Sequence, residues 1–423
     1  MEYKQTELKK GIKFHTINTD KFKTNLIAVF MTTKLTRENV TKNAVISALL
    51  RRGSKTMPSQ EEISKQMEEM YGASFDCGLD KTGDNQVLKF YLETVNDNFL
   101  PQKGENMLKT SLKNLLEIAF NPYIENESFK PEYVEQEKNN IKQRIEGKID
   151  NKARYSLDRC IEEMYPDEPF GLYRFGYIED LEKIDGKDLY EYYKQLIDSC
   201  KIDIFVSGKI EDNMEEIVTA NENMQSLKER MPDYVPPKEL NKKLPQKENV
   251  VTESMEVTQG KLILGLNVGI DKEDLRYDVL IYNSILGGSA NSKMFQNVRE
   301  KAHLAYVASS SYLRFKNNIF VNCGIEIGNY EKALELIKQQ IEDMKKGEFT
   351  EEDIENAKKG IIAAIQAIED EQDTEITYYF GQELTNSKVS IDEYKNKINQ
   401  IKRENIMHIA QNVAIHTIYF LKD

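Results

Sequence analysis

The sequence predicts an α+β fold of two tandem homologous domains, each a mostly antiparallel sheet flanked by helices. Three observations support this prediction. The same order of strand-like and helix-like segments occurs twice, the strands form hairpins without a sustained βαβ alternation, and a proline-rich stretch separates the halves. The length of 423 residues also exceeds what one hydrophobic core usually supports, so we expect more than one domain.

The first repeat begins with a short apolar strand at residues 25–31, followed by a helix at 41–50 with the apolar spacing of a buried face. A second helix at 60–70 leads into two alternating segments, 73–78 and 86–93, which predict a pair of strands. The remainder is predicted as a helix at 104–118, a long helical region at 131–164, a helix at 187–197 and a strand at 201–207.

The second repeat follows the same order. Its predicted segments are a strand at 261–268, helices at 274–286 and 292–301, strands at 305–312 and 318–326, a helix at 330–344, a long helical region at 351–384, a helix at 392–411 and a strand at 417–421. We therefore expect domains at 1–225 and 251–423, joined by an extended, charged linker at 226–250 that holds four of the ten prolines. The alternative is that the halves are ordinary mixed domains without a common origin.

The charge and hydropathy of the chain exclude several classes of function. With 71 acidic and 58 basic residues the net charge is -13, so the overall field repels nucleic acid and anionic membranes. The longest apolar runs fall far short of the roughly 20 residues of a membrane helix. The polar segment 1–10 does not resemble a secretory signal, so we expect a cytoplasmic protein without a nucleic-acid or membrane partner.

Cysteine and histidine spacing bears on redox and metal chemistry. The four cysteines lie far apart without a C-x-x-C pair, which favours buried free thiols. Only His15, His303, His408 and His416 occur, and no two have the i, i+4 spacing that places two ligands on one helix face. A histidine-based metal site within this chain is therefore not expected.

Several short strings resemble the insulinase/pitrilysin superfamily of metallopeptidases, in particular the members related to mitochondrial processing peptidase. In the second half these are LGG at 286–288, KMFQNVREK at 293–301 and LAY at 304–306; in the first half they are RGS at 52–54 and EEI at 61–63. Within the superfamily the chain resembles the inactive, YmfF-type chains of bacteria. The resemblance implies a metallopeptidase fold in which each chain forms half of a clamshell.

Active members of this family carry an inverted zinc motif, H-x-x-E-H, on the first helix of the first repeat. The resemblance places the two histidine ligands on Ala44 and Ala48, and the glutamate that acts as general base on Ser47. The third ligand, a glutamate seven residues after another glutamate, falls on Arg144, while Glu137 matches the earlier one. The resemblance therefore implies that the zinc site has been lost and that this chain holds no cofactor.

The family also implies a second pair of functional residues. In its C-terminal repeat an arginine and a tyrosine seven residues apart contact the substrate and stabilise the oxyanion, and here they correspond to Arg299 and Tyr306. Charged guanidinium donors and a phenol are suited to that task. From the spacing alone, Arg299 could equally be a surface charge paired with Glu300, and Tyr306 a partly buried strand residue.

Together these features lead to two hypotheses about function. The first is a non-catalytic, substrate-gripping subunit of a heterodimeric zinc metallopeptidase acting on peptides or small polypeptides. Its partner would be a homologous zinc-bearing chain of the YmfH type, which would supply the zinc. The alternative is a stand-alone peptide-binding or scaffold protein without a proteolytic role.

Overall fold

The computed structural model of this chain describes residues 2–100 and 106–423. Its contacts divide into two compact units. Unit 1 consists of Met1–Glu146, Leu172–Pro236 and Glu371–Gly381, and unit 2 consists of Gly147–Gly171, Pro237–Asp370 and Gln382–Asp423. A repeat in the sequence and a compact unit in space are different divisions of the chain, so the repeat boundaries at 225 and 251 stay predictions.

The strands of the described residues are β1 (Glu2–Lys9), β2 (Ile12–Asn18), β3 (Thr24–Lys34), β4 (Ser74–Thr82), β5 (Asn85–Val95), β6 (Ile124–Glu125), β7 (Ser128–Phe129), β8 (Lys201–Gly208), β9 (Asn249–Ser254), β10 (Gly260–Val268), β11 (Ala305–Leu313), β12 (Asn318–Ile325) and β13 (Val413–Lys422). The predicted strands of both repeats are all present. The sequence prediction missed β1, β2, β6, β7 and β9.

The α-helices of the same residues are α1 (Val40–Leu50), α2 (Gln60–Glu69), α3 (Met107–Phe120), α4 (Pro131–Glu146), α5 (Lys152–Met164), α6 (Ile178–Leu181), α7 (Gly186–Ser199), α8 (Met214–Ala220), α9 (Glu222–Ser226), α10 (Arg276–Asn283), α11 (Tyr330–Lys346), α12 (Glu351–Ala367), α13 (Gln372–Leu384), α14 (Ile391–Gln400) and α15 (Arg403–Gln411). Part of the helix predicted at 104–118 lies outside the described residues. The long helical regions at 131–164 and 351–384 are each broken by a short 3₁₀ turn, Gly147–Asp150 and Ile368–Asp370.

Each unit contains one large sheet, and five strands of each sheet follow the same order, while β1 extends the sheet of unit 1 by one further strand. The sheet of unit 1 has the order β1-β2-β8-β3-β5-β4, and that of unit 2 has the order β11-β12-β10-β13-β9. In both, one pair is parallel, β2 with β8 and β9 with β13, and the other pairs are antiparallel. The mixed helix and sheet architecture of two related domains is therefore confirmed.

Continuous burial along β3 and β10 explains why the central strands form where they do. Phe30 and Ile27 of β3 and Leu264 of β10 are fully buried, which is typical of strands covered on both faces. Side chains cap the N-termini of helices. The Ser59 hydroxyl accepts a hydrogen bond from the Glu62 backbone N–H at the start of α2, and Thr350 forms a capping box with Asp353 at the start of α12.

The helices that follow the two breaks are exchanged between the units. Although α5 lies within the first repeat of the sequence, it belongs to unit 2, where Cys160 and Met164 pack on the sheet. A Cβ atom at Gly265 of β10 would lie 2.2 Å from the Met164 sulfur, so glycine is required for this close approach. Conversely, the first residues of α13 belong to unit 1, where Phe380 stacks on Phe30 with ring centroids 4.2 Å apart.

The cysteines agree with a further prediction. All four cysteines are free, and Cys160, Cys200 and Cys323 are buried. In the part of the chain that is described, no helix combines the length and the apolar character needed to cross a bilayer.

Candidate functional site

A pocket of about 420 Å³ lies in unit 1 between α1, α4 and the edge strand β4. Its lining residues are Ala44, Ser47, Ala48, Arg51, Arg52, Gln60, Cys77, Gly78, Leu79, Glu137, Asn140, Ile141, Arg144, Arg174 and Phe175. The positions that the family resemblance assigned to the zinc site all line this one pocket, although they are far apart in sequence. The alignment to the family motif thus selected residues that do share a site.

The side chains that α1 presents to the pocket are small and carry no ionisable group. Ala44 and Ser47 are buried, and α1 packs its remaining apolar residues into the core of unit 1. Cys77 on β4 lies close enough for its sulfur to contact the Ser47 carbonyl at 3.7 Å. None of these α1 side chains is a zinc ligand of the usual kind, and the one carboxylate in the pocket lining, Glu137, is paired with Arg52.

The carboxylate in the pocket is already engaged. Glu137 on α4 is nearly buried and pairs with the Arg52 guanidinium, and its other oxygen accepts from the Asn140 amide at 3.1 Å. Three further arginines, Arg51, Arg144 and Arg174, line the same space. Among the described residues no group of three His, Cys, Asp or Glu side chains is placed to hold a metal ion.

These residues do not fit a zinc ion. A zinc site needs three protein ligands with free lone pairs, but the pocket offers one carboxylate, which Arg52 neutralises. Four guanidinium groups would also repel a divalent cation. We therefore derive no chemistry from a metal in this pocket.

A cysteine nucleophile is not supported either. Burial raises the pKa of Cys77 to about 12, an effect that nearby Arg51 opposes and Asp76 reinforces. The thiol is therefore neutral at physiological pH, whereas nucleophilic cysteines depend on a lowered pKa. The lining also contains no histidine that could act as its base.

In unit 2 the predicted pair lies around a segment of unusual helix geometry. Ser284–Gly288 and Met294–Lys301 are π-helical, and the second segment ends with the Ala302 N–H bonded to the Asn297 carbonyl at 3.2 Å. Such π-helical turns are frequent at functional sites. The sequence predicted helices here but could not distinguish π from α geometry, because both bury a similar apolar face.

Arg299 lies on the second π-helical segment with an exposed side chain. Its guanidinium stacks over the Phe295 ring at 4.6 Å from the centroid, and its Nε lies 3.5 Å from a Glu300 carboxylate oxygen. The contact with Glu300 is the surface pairing that the spacing had suggested as the alternative. At that distance it is a weak ion pair, and it leaves guanidinium N–H groups available to another acceptor.

Tyr306 lies on β11, the edge strand of its sheet. The pairing with β12 shifts between Ala305 and Val307, so Tyr306 occupies a β-bulge. The bulge breaks the inward and outward alternation, and both Tyr306 (64% exposed) and Val307 (54% exposed) face solvent. Tyr306 is therefore not the partly buried strand residue of the alternative interpretation.

Comparison with known proteins now decides the family. The chain is 33% identical to the probable inactive metalloprotease YmfF of Bacillus subtilis over 413 residues, which cover 97% of this chain and 96% of that one. It belongs to the insulinase/pitrilysin, or M16, family of metallopeptidases. The profile of the peptidase M16 inactive domain matches residues 183–361 of this M16 chain.

More distant M16 relatives and solved structures agree in fold. An uncharacterised zinc protease of Bacillus subtilis, YmxG, is 23% identical over 68% of this chain and 69% of its own length. A conserved protein from Enterococcus faecalis superposes with a TM-score of 0.91 at 28% identity, covering 100% of this chain and 99% of the other. A peptidase M16 inactive domain from Pseudomonas fluorescens superposes at 0.80 with 16% identity, over 100% and 98% of the chains, which shows the shared fold.

The residues that the sequence analysis overlooked lie in the unit 1 pocket. Arg51, Arg52 and Arg174, with Cys77 and Phe175, are among the lining residues to which it assigned no role. The pair Arg51-Arg52 directly follows α1, and that adjacency was a usable signal. The contribution of Arg174 was not, because a loop more than a hundred residues later carries it to the same pocket.

Proposed function

We propose that this chain is a non-catalytic, substrate-gripping subunit of a heterodimeric zinc metallopeptidase that cleaves peptides or small polypeptides in the cytoplasm. The observation that supports it most is the contrast between the two sites. The one carboxylate of the unit 1 pocket, Glu137, is paired with Arg52, whereas unit 2 exposes Arg299 and Tyr306 at the edge strand β11. An M16 protein with these two sites can contact a substrate through Arg299 and Tyr306 but cannot activate water.

In this proposal Arg299 and Tyr306 act on a substrate held by the pair of chains. The Arg299 guanidinium and the Tyr306 phenol would donate hydrogen bonds to the carbonyl oxygen whose negative charge grows in the transition state. The stacking of Arg299 on Phe295 limits its rotamers, which reduces the entropy lost when the guanidinium binds an acceptor. The zinc and the general base would come from the homologous partner.

The free cysteines support the assignment to a reducing compartment. None of the four forms a disulfide, which is usual for cytoplasmic proteins.

A sizing experiment tests the assembly. The chain would be mixed with its zinc-bearing M16 homologue from the same source, and the mass measured by size exclusion with light scattering. We expect the mixture to contain a 1:1 complex of the two chains, with a mass that neither chain shows when it is measured alone. Separate elution at micromolar concentrations would favour the second candidate, a stand-alone peptide-binding scaffold, for which the Arg299–Glu300 contact at 3.5 Å is the supporting observation.

A further inference from the structure

The unit 1 pocket carries a positive charge that the assembly proposal does not explain. Four arginines line it against the single carboxylate of Glu137, in a chain whose net charge is -13. Guanidinium groups gathered around one cavity repel one another, and an anion bound between them would remove that repulsion.

Arg52 is committed to the protein itself, but the other three arginines are not. Arg51 lies 3.6 Å from Asp76, and Arg174 lies 3.5 Å from Asp80, which also bonds Lys89; both distances exceed a good charged hydrogen bond. Arg144 makes no ion pair within the described part of the chain. The pocket therefore holds guanidinium donors whose capacity is mostly unused.

The guanidinium groups of Arg144 and Arg174 are held in place by an aromatic ring. Both stack on Phe175, with the Cζ atoms 5.5 and 4.8 Å from the ring centroid. The backbone of Arg174 is anchored by the Gln86 side chain, which donates to its carbonyl at 2.8 Å. Stacking uses the faces of the guanidinium planes and leaves their N–H edges to bind a planar acceptor such as a carboxylate.

The neighbouring backbone favours an extended peptide as the carrier of that carboxylate. Cys77, Gly78 and Leu79 of β4 line the pocket, and β4 is the outer strand of its sheet. Space is open where a Cβ atom of Gly78 would lie, so another chain can approach the strand closely there. A peptide lying along β4 would place one of its side chains over the arginines.

We propose that this pocket recognises an acidic side chain of a peptide, with Arg144 and Arg174 as the donors to its carboxylate. The inference goes beyond the proposed subunit role, because it concerns unit 1 alone and assigns a preference for acidic sequences. It also accounts for the residues present: a pocket unable to bind a cation is suited to bind an anion.

A binding measurement on the full chain tests the proposal without any partner. The probe is a fluorescein-labelled, C-terminally amidated octapeptide with two central glutamates in an alanine and valine background. Its binding to the chain is measured by fluorescence anisotropy at low salt. We expect it to bind on the order of tenfold more tightly than the same peptide with glutamines, and the difference to shrink as salt is raised. Equal affinities would overturn the proposal.

Variants then assign the preference to the pocket. Arg144→Gln and Arg174→Gln should each reduce the preference, and the double variant should abolish it. Arg144→Lys should retain part of it, because the charge remains while the planar pair of donors is lost. The matched control is Arg154→Gln in unit 2, whose exposed side chain lies outside the pocket and which should bind like the wild type. A double variant that keeps the full preference, with an unchanged melting curve, would contradict the proposal.

Competition separates a carboxylate from a phosphoryl ligand. Acetate and inorganic phosphate are each titrated against the bound peptide at equal ionic strength. If the pocket binds a carboxylate as part of a peptide, acetate and phosphate should both compete weakly and to a similar extent. Displacement by phosphate at concentrations where acetate has no effect would reassign the site to a phosphoryl group and overturn the peptide proposal. Because no zinc-bearing chain is present, failure of the heterodimer cannot produce any of these results.

Discussion

The edge strands β4 and β11 occupy equivalent places in two sheets that share a five-strand order, yet their surroundings differ. Beside β4 lie small buried residues of α1 and a pocket of arginines. Beside β11 lie π-helical turns, an exposed Arg299 and a bulged, exposed Tyr306. The comparison shows that two sheets with a common strand order carry different side chains at equivalent edges: arginines around a pocket beside β4, and an exposed arginine and tyrosine beside β11.

The largest effect is expected at the β11 edge. In a reconstituted complex with the zinc-bearing homologue, Arg299→Ala or Tyr306→Phe should lower peptide turnover by about 10²- to 10³-fold, because each removes a donor to the developing oxyanion. Turnover is measured at matched complex concentration, confirmed by sizing. Full turnover in both variants would remove the distinction between the two edges.

A smaller, structural effect is expected in the unit 1 pocket. Arg52→Ala leaves the nearly buried Glu137 carboxylate with only the Asn140 amide, so the free energy of unfolding should fall by about 1–3 kcal/mol. Urea denaturation measures the change. Arg51→Ala is the control, because its exposed guanidinium lies 3.6 Å from Asp76 and should contribute at most about 1 kcal/mol. Equal losses would mean that Arg52 is not the arginine that neutralises Glu137.

Much of this comparison follows from the sequence, and the rest depends on distant contacts. The repeated strands were predictable because β3 and β10 carry continuous apolar runs. The strand β1 was not, because its polar residues also fit an exposed segment. The strand β2 carries an alternating pattern with Ile12 and Phe14 buried, which the prediction overlooked, and β9 begins where the charged linker ends.

The exchange of helices lies beyond any local pattern. The apolar face of α5 shows that it packs on something, but not that Met164 packs against Gly265 of the second sheet. In the same way, Ala44, Ser47 and Arg144 could be assigned through the family motif, whereas the convergence of Arg144 and Arg174 on Phe175 required the fold.

The thiols should be slow to react in both units. Burial raises the pKa of Cys77 and of Cys323 to about 12, and a raised thiol pKa lowers the thiolate fraction at any pH below it. Between pH 7 and 9, alkylation of the native chain by iodoacetamide should therefore be on the order of a thousandfold slower than that of a free thiol of pKa ~8.5. Mass spectrometry of each cysteine gives the rates. Rapid alkylation of Cys77 would point to a reactive group in the pocket.

The smallest effect is expected at Ser47, the position that the family motif assigns to the general base. Ser47→Ala removes a hydroxyl that has no catalytic partner, so turnover of the reconstituted complex should be unchanged and unfolding should shift by no more than about 0.5 kcal/mol. Both quantities are measured beside the Arg299→Ala variant. A loss of turnover comparable to that variant would place chemistry on α1.

Peptide cleavage by the wild-type chains, alone and mixed, tests the central claim most directly. A quenched fluorescent peptide is incubated with this chain, with its zinc-bearing homologue, and with both at equal concentration. If the homologue supplies the zinc and this chain supplies substrate contacts, this chain alone should show no turnover. The mixture should then turn over the peptide far faster than the homologue alone. Zinc-dependent cleavage by this chain alone, or a mixture no faster than the homologue, would contradict it.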